Sequence, residues 1–115
     1  MSLKMGTREV KDVIIIDLSG QLTMGEASAA VRAEVHDAVG NGFRKILLNL
    51  AEVSYIDSAG LGELTSAYTS VKNRDGALKL LNLTKRVHDL MQITKLYTVF
   101  DVYDDEKKAL ASFAA

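Results

Sequence analysis

The apolar run from Lys45 to Leu50 is the feature that most constrains how this 115-residue chain can fold. A run of this length, almost continuous in apolar character, is typical of a central strand buried on both faces of a parallel sheet. Segments with helical spacing separate it from other apolar runs at Val13–Leu18, Leu78–Leu83 and Val99–Val102. Strands that alternate with helices predict an α/β domain with a largely parallel sheet of four or five strands.

Turn and capping residues predict the remaining elements. Arg8–Lys11 is expected to pair with the Val13 strand as an antiparallel N-terminal hairpin, with Asp12 near the turn. Thr23 and Glu26 have capping-box spacing, so Thr23 is the predicted N-cap of the first helix. About four helices are expected, and their predicted starts are Thr23, Ser58 or Gly60, Thr84, and Asp104.

Composition limits the class of protein. The chain has 14 Lys and Arg against 15 Asp and Glu, without a basic block, so nucleic-acid binding is not expected. The absence of cysteine excludes disulfides and thiol chemistry, and it fits a reducing cytoplasm. No apolar stretch reaches the length of a membrane span, and the N-terminus lacks the apolar segment of a secretory signal. We expect one cytoplasmic domain over residues 1–115, in which residues 1–5 form a disordered or vector-derived leader.

The segment from Asp57 to Gly62 places one hydroxyl beside a carboxylate where the loop after a strand becomes a helix. A helix start offers unpaired backbone N–H groups and a positive dipole end, so a phosphate on Ser58 would be tolerated there. Serine and aspartate are also preferred N-cap residues, which gives Ser58 and Asp57 a simpler, purely structural interpretation. Gly60 and Gly62 are expected to supply backbone freedom at the turn.

Catalytic and metal-binding interpretations find little support in the sequence. The serine segment is neither a Walker A loop, because no Gly-Lys-Ser/Thr follows, nor a nucleophile elbow. A serine hydrolase needs a histidine base, and both His36 and His88 fall on predicted polar faces. We therefore expect no enzymatic activity, no metal and no cofactor. Met24 and Met91 are expected to fill gaps in the core.

The run from Asn49 to Gly62 closely resembles the signature of STAS domains, specifically those of bacterial anti-sigma factor antagonists. The resemblance covers almost the whole chain, and it includes Gly20–Leu22, Leu80–Leu83, Val87–Met91 and Leu96–Phe100. It implies a mixed sheet with helices packed mainly on one side. It also implies a regulatory protein that binds a serine-kinase anti-sigma factor and so releases a sigma factor for transcription.

The same resemblance implies control by phosphorylation of the serine that matches Ser58. In the family the kinase uses its own bound ATP, the phosphorylated antagonist no longer captures the kinase, and a phosphatase restores it. This chain has Thr23 where the family often has Asp, and Ala59 where many members have a second hydroxyl. The implied switch loop comprises Thr23, Asp57, Ser58, Ala59, Gly60, Leu61 and Gly62.

Two other functions stay open at the level of sequence. The first is a STAS scaffold or transporter-accessory module that binds a protein other than a kinase. The second is a small STAS module whose loop binds an anion or a nucleotide. The presence of Ser58 favours kinase control over the accessory function, although both kinds of module can carry a serine there.

Overall fold

A computed structural model describes residues 3–114 as one five-stranded sheet with helices on both faces. The strands lie in sequence order, β1-β2-β3-β4-β5. The elements are β1 (Leu3–Val10), β2 (Val13–Leu22), α1 (Glu26–Gly40), β3 (Lys45–Ile56), α2 (Ser58–Asn73), β4 (Ala77–Leu81), α3 (Lys85–Thr94), a 3-10 turn (Leu96–Thr98), β5 (Val102–Tyr103) and α4 (Glu106–Ser112).

The sheet is mixed, as the sequence predicts. β1 runs antiparallel to β2, whereas β2, β3, β4 and β5 are parallel to their neighbours. The hairpin turns at Lys11, which has a positive φ of 56°, and Asp12, whose carboxylate lies 2.6 Å from Lys45 Nζ on β3. The predicted α/β architecture with an N-terminal hairpin is therefore confirmed.

Each face of the sheet has its own apolar cluster. Successive side chains of a strand point to opposite faces, so Ile46 and Leu48 of β3 pack in the larger cluster, under α1, α2 and α3. Leu47 packs with Leu81 against Phe113 in a smaller cluster under α4. The apolar run in β3 is continuous because helices cover both faces of this part of the strand. The expectation of helices mainly on one side is confirmed.

Lys79 is the unusual residue of the α4 face. It lies on β4, and its side chain is only 12% exposed. Its Nζ donates to the Ser112 carbonyl at 3.1 Å and to the Ser112 hydroxyl at 2.9 Å, and it stands 4.8 Å above the centre of the Phe113 ring. The ammonium thus binds the last turn of α4, where a helix presents unpaired carbonyls.

The structure corrects the predicted leader. Leu3 and Met5 belong to β1 and pair with Gly20 and Leu18 of β2. Both apolar side chains also pack against the larger core cluster. Residues 3–5 are therefore strand rather than a disordered leader, and Met1 and Ser2 lie outside the described residues.

Some predicted boundaries are wrong. α1 begins at Glu26 with Gly25, at φ 96°, in the N-cap position, so Thr23 is not the cap and the capping box does not form. α4 is capped by Asp105 rather than Asp104. The last strand is confined to Val102–Tyr103. Val99 and Phe100, predicted as part of that strand, instead leave the 3-10 turn and pack against the larger core cluster.

The two longest strands extend together beyond their predicted ends. β2 continues to Leu22 and β3 to Ile56, and these two residues are partners at the end of the parallel ladder. The loop that leads into α1 therefore lies beside the loop that leads into α2. Because loops at the carboxyl ends of parallel strands are the usual functional positions in such sheets, a functional site is expected at this edge.

Candidate functional site

Asp57 connects the two loops. It is the N-cap of α2, and its Oδ1 accepts a hydrogen bond of 2.8 Å from the Gly60 N–H. Its Oδ2 accepts a second bond of 3.1 Å from the Met24 N–H in the loop after β2. These N–H donors, Gly60 first and then Met24, lower the pKa of the Asp57 carboxyl. Asp57, rather than Ser58, is therefore the N-cap of α2, and it also joins the two loops.

Ser58 is the first residue of α2, and it is exposed. Its side chain therefore stands at a helix N-terminus on the surface, where backbone N–H groups and the helix dipole favour an anion. Because Asp57 takes the capping role, Ser58 is not needed as the N-cap. A modification of its hydroxyl would leave the cap of α2 in place.

Gly60 is a packing residue rather than a flexible one. It is buried in the first turn of α2, directly against the end of β2. A Cβ at this position would overlap the Leu22 carbonyl oxygen and come within 2.9 Å of Ile56 Cγ1. Gly62 is exposed, and a Cβ added there would meet nothing within 4 Å. Of these two glycines, only Gly60 is required by packing. The reason is the close approach of α2 to the end of β2, and not the backbone freedom that the sequence predicts.

The predicted switch loop divides into supporting and surface residues. Leu61 is 4% exposed and packs in the larger core cluster, so like Gly60 it holds the loop in position. Thr23 is half-buried, and its carbonyl accepts bonds from the Ser28 N–H and hydroxyl. Ala59 is also half-buried. Of the predicted set, Ser58 and Gly62 are the exposed members.

A shallow groove runs from Ser58 to α3. One side is formed by the end of β3 and the start of α2, and the other by a face of α3. Arg86 lies over the Tyr55 ring, with its guanidinium carbon 4.6 Å from the ring centre, and Lys85 Nζ pairs with Asp89 Oδ2 at 2.8 Å. The lining residues are Tyr55, Ile56, Asp57, Ser58, Lys85, Arg86, Asp89, Leu90 and Ile93.

Two large apolar side chains stand exposed beside this groove. Ile93 lines it and is 78% exposed, and Met24, which is bonded through its backbone to Asp57, is 77% exposed. Met24 was expected to fill the core, which is wrong, whereas Met91 is buried as expected. Exposed apolar groups rimmed by charge are typical of protein-binding surfaces. The sequence alone did not indicate Ile93, Lys85 or Arg86 as site residues. The pattern that could have indicated this surface is an isoleucine on the polar side of the amphipathic helix α3.

The two histidines do not join the site. His36 is exposed on α1, as expected, in a cleft between α1 and α2. His88 is exposed on α3, and its ring nitrogens lie 3.5 Å from Asp89 Oδ1 and 3.4 Å from Gln92 Nε2. Across residues 3–114, no group of three acidic or histidine side chains is arranged to hold a metal ion. No helix in that range is long and apolar enough to cross a membrane.

Comparisons with known proteins show the family and the fold of this chain. The family model described as "STAS domain" matches residues 4–109. An anti-sigma F factor antagonist of Paenibacillus polymyxa is 28% identical over 96% of this chain and 94% of its own. The crystal structure of a candidate anti-sigma factor antagonist of Thermotoga maritima superposes with a TM-score of 0.88, at 25% identity, over 96% of this chain and 95% of that one.

A second similar structure is that of the Bacillus cell fate determinant SpoIIAA in its phosphorylated form. It has a TM-score of 0.73 and 22% identity, covering 95% of this chain and 98% of that chain, which establishes a shared fold. Because the family model spans most of the chain, and because curated relatives matched over nearly their full length are anti-sigma factor antagonists, the chain belongs to the STAS domain family.

Proposed function

We propose that this protein binds a serine-kinase anti-sigma factor, and that phosphorylation of Ser58 by this partner ends the binding. The observation that carries the proposal is the exposed hydroxyl at the first position of α2, beside a carboxylate that already caps the helix. The antagonist relatives support an anti-sigma factor as the partner. A solved structure of this fold that is itself phosphorylated supports the modification.

The docking surface in this proposal is the Ser58 groove with its exposed neighbours. Met24 and Ile93 supply apolar anchors, and Lys85, Arg86 and Asp89 supply a charged rim. Interfaces of this kind gain most of their affinity from a few desolvated apolar or aromatic groups and their specificity from the rim. Because the Asp57 carboxylate holds the Met24 backbone, the anchor and the serine are fixed relative to each other.

A phosphate on Ser58 changes the surface without changing the fold. It adds about 1.5 to 2 negative charges at neutral pH, next to helix N–H groups that stabilise an anion. The partner then meets a dianion close to the Asp57 carboxylate and to the phosphates of its own nucleotide. Like charges in an interface can cost several kcal/mol, and about 2.7 kcal/mol already weakens binding about a hundredfold.

The remaining components belong to other proteins. ATP and ADP are bound by the kinase, a phosphatase removes the phosphate from Ser58, and this chain performs no chemistry and holds no cofactor. We place the exchange in the cytoplasm, where a sigma factor acts. Neither a nucleic acid nor a membrane is a partner in this scheme.

The test uses a purified kinase-type anti-sigma factor as the candidate partner. Incubation with it and ATP is expected to give a mass gain of one phosphate, which Ser58→Ala abolishes. Ser66→Ala, at an exposed serine on the same helix, is the matched control and should leave the gain unchanged. A gain that persists in Ser58→Ala would assign the phosphate to another residue and contradict the proposal.

Binding is measured separately by titration calorimetry. Ser58→Ala is expected to bind the unmodified partner as tightly as the native protein, and Ser58→Asp more weakly, although Asp carries less charge than a phosphate. Equal affinity of Ser58→Asp and the native protein would refute the repulsion argument. No complex and no mass gain would favour a scaffold or transporter-accessory role, and nucleotide binding by the isolated protein would favour a ligand-binding module.

A further inference from the structure

The first turn of α3 brings two cations to the groove that Ser58 lines. Lys85 and Arg86 are adjacent, exposed residues that follow the Thr84 cap, and both line the groove. The Lys85 ammonium is engaged with Asp89 at 2.8 Å. The Arg86 guanidinium packs on the face of Tyr55, and within the described part of the chain no carboxylate lies within 4.0 Å of it. Its N–H donors therefore lack an anionic partner.

The charges along the groove balance only while Ser58 is unmodified. Asp57 and Asp89 contribute two carboxylates, and Lys85 and Arg86 two cations. The Asp57 oxygens are both occupied by backbone N–H groups, so this carboxylate has no need of a cation. A phosphate on Ser58 adds a second pair of negative charges on the wall opposite α3. Among the cations that line the groove, the Arg86 guanidinium is the one without a carboxylate partner in the described part of the chain, so it can receive the phosphate.

We propose that Arg86 binds the phosphate of phosphorylated Ser58 across the groove, so that the modified residue bridges the first turns of α2 and α3. The inference rests on the proposed phosphorylation and adds where the phosphate goes. Arginine suits this role better than lysine because its planar, weakly hydrated fork matches two phosphate oxygens at once. Lys85 supplies a weaker, longer-range contribution because it keeps its pair with Asp89.

The bridge gives the switch a second component. In the unmodified protein, Arg86 lies on Tyr55 and is available to a partner that docks in the groove. In the phosphorylated protein, the same guanidinium is engaged by this chain's own phosphate, and the groove between α2 and α3 is occupied. Partner release then follows from a lost contact and a filled groove as well as from repulsion. A phosphate that is held only by the α2 N–H groups would leave Arg86 where it is.

The test installs phosphoserine at position 58 during translation, so it needs no kinase. A phosphorus NMR titration then measures the second pKa of the phosphate. A cation that binds the dianion lowers this pKa, so Arg86→Gln is expected to raise it by roughly 0.2 to 0.7 units, the equivalent of one exposed ion pair. Arg74→Gln, at an exposed arginine in the α1–α2 cleft, is the matched control and should not change it.

Other groups near the phosphate are controlled in the same series. Asp57 and Asp89 are ionised throughout the titration, because hydrogen bonds from the Gly60 N–H and from Lys85, respectively, lower their pKa values. His88 lies 3.5 Å from Asp89 Oδ1, so each titration is repeated with His88→Gln as a further control. Lys85→Gln should raise the phosphate pKa less than Arg86→Gln does.

The outcomes separate this inference from the proposed function. An unchanged phosphate pKa in Arg86→Gln overturns the bridge, even if phosphorylation still abolishes partner binding. A raised pKa in Arg86→Gln, with no change in Arg74→Gln, supports the bridge even if the partner proves not to be a kinase. Equal shifts in both variants would assign the effect to net charge and would also overturn the bridge.

Discussion

Gly60→Ala tests whether the site depends on the close approach of α2 to the end of β2. The new methyl would overlap the Leu22 carbonyl oxygen and lie 2.9 Å from Ile56 Cγ1, against the about 3.5–4.0 Å of an ordinary carbon contact. Leu22 and Ile56 are buried at the paired ends of two core strands. The obstruction includes rigid backbone, so the helix start must move rather than a side chain.

The magnitude follows from two opposing terms. Overpacking of a tight site costs about 1–3 kcal/mol or more, and an obstruction by backbone belongs at the upper end of that range. Alanine regains about 1 kcal/mol over glycine in a helix. The net loss for Gly60→Ala is therefore about 2 kcal/mol in the free energy of unfolding. At about 4 °C per kcal/mol for a domain of this size, the Tm falls by about 8 °C.

Gly62→Ala is the matched control two residues along the same helix. Nothing lies within 4 Å of the position its Cβ would take, so only the gain in helix propensity remains. Urea unfolding should show Gly62→Ala unchanged or stabilised by up to about 1 kcal/mol, and Gly60→Ala destabilised with an unchanged m value. Equal stabilities of the two variants would refute the claim that Gly60 is required by packing.

Two further predictions concern charged groups. Asp57→Asn should keep the cap to Gly60 but lose the bond from Met24, and this lowers the stability at pH 7. Because hydrogen bonds lower the folded-state pKa of Asp57, the stability that its carboxylate contributes is present above a pH of about 4 and is lost below it. The urea midpoints of the variant and the native protein should therefore converge as the pH falls through the folded-state pKa. Arg32→Ala should lower the free energy of unfolding by about 1–3 kcal/mol, because the buried Glu63 carboxylate, which lies 2.7 Å from Arg32, loses its cation. Adding Glu63→Met to this variant should recover most of the lost stability in urea unfolding. A pH-independent difference for Asp57→Asn, or no recovery in the double variant, would contradict these assignments.

Local patterns predicted most of the fold because the core is periodic. The run from Lys45 to Leu50 is apolar throughout where helices cover both faces of β3. Beyond Leu50 the strand continues, but its pairing with β2 shifts register twice, and the buried residues Val53 and Ile56 are three positions apart. Such irregularities break the period of two that marks a strand in the sequence, so this stretch was not recognised as part of β3.

The site was only half predictable, because its second half comes from distant segments. Asp57, Ser58 and Gly60 lie within one motif, and the sequence indicated them. The bond from Met24 to Asp57 joins residues in separate loops, and it replaces the capping box that Thr23 and Glu26 suggest locally. The wall formed by α3 depends on how that helix lies against β3, which spacing alone does not determine.

Because of Lys79, α4 does more than cover a few apolar side chains of the sheet. Its ammonium is nearly enclosed, and its two hydrogen bonds both end on Ser112 in the final turn of that helix. If α4 lifted away, the Lys79 ammonium would lose both bonds to Ser112, and the water that replaced them would also reach the neighbouring apolar Leu81. The contacts of Lys79 with Ser112 thus help to hold α4 on the sheet, although a seven-residue helix is too short to persist alone in water.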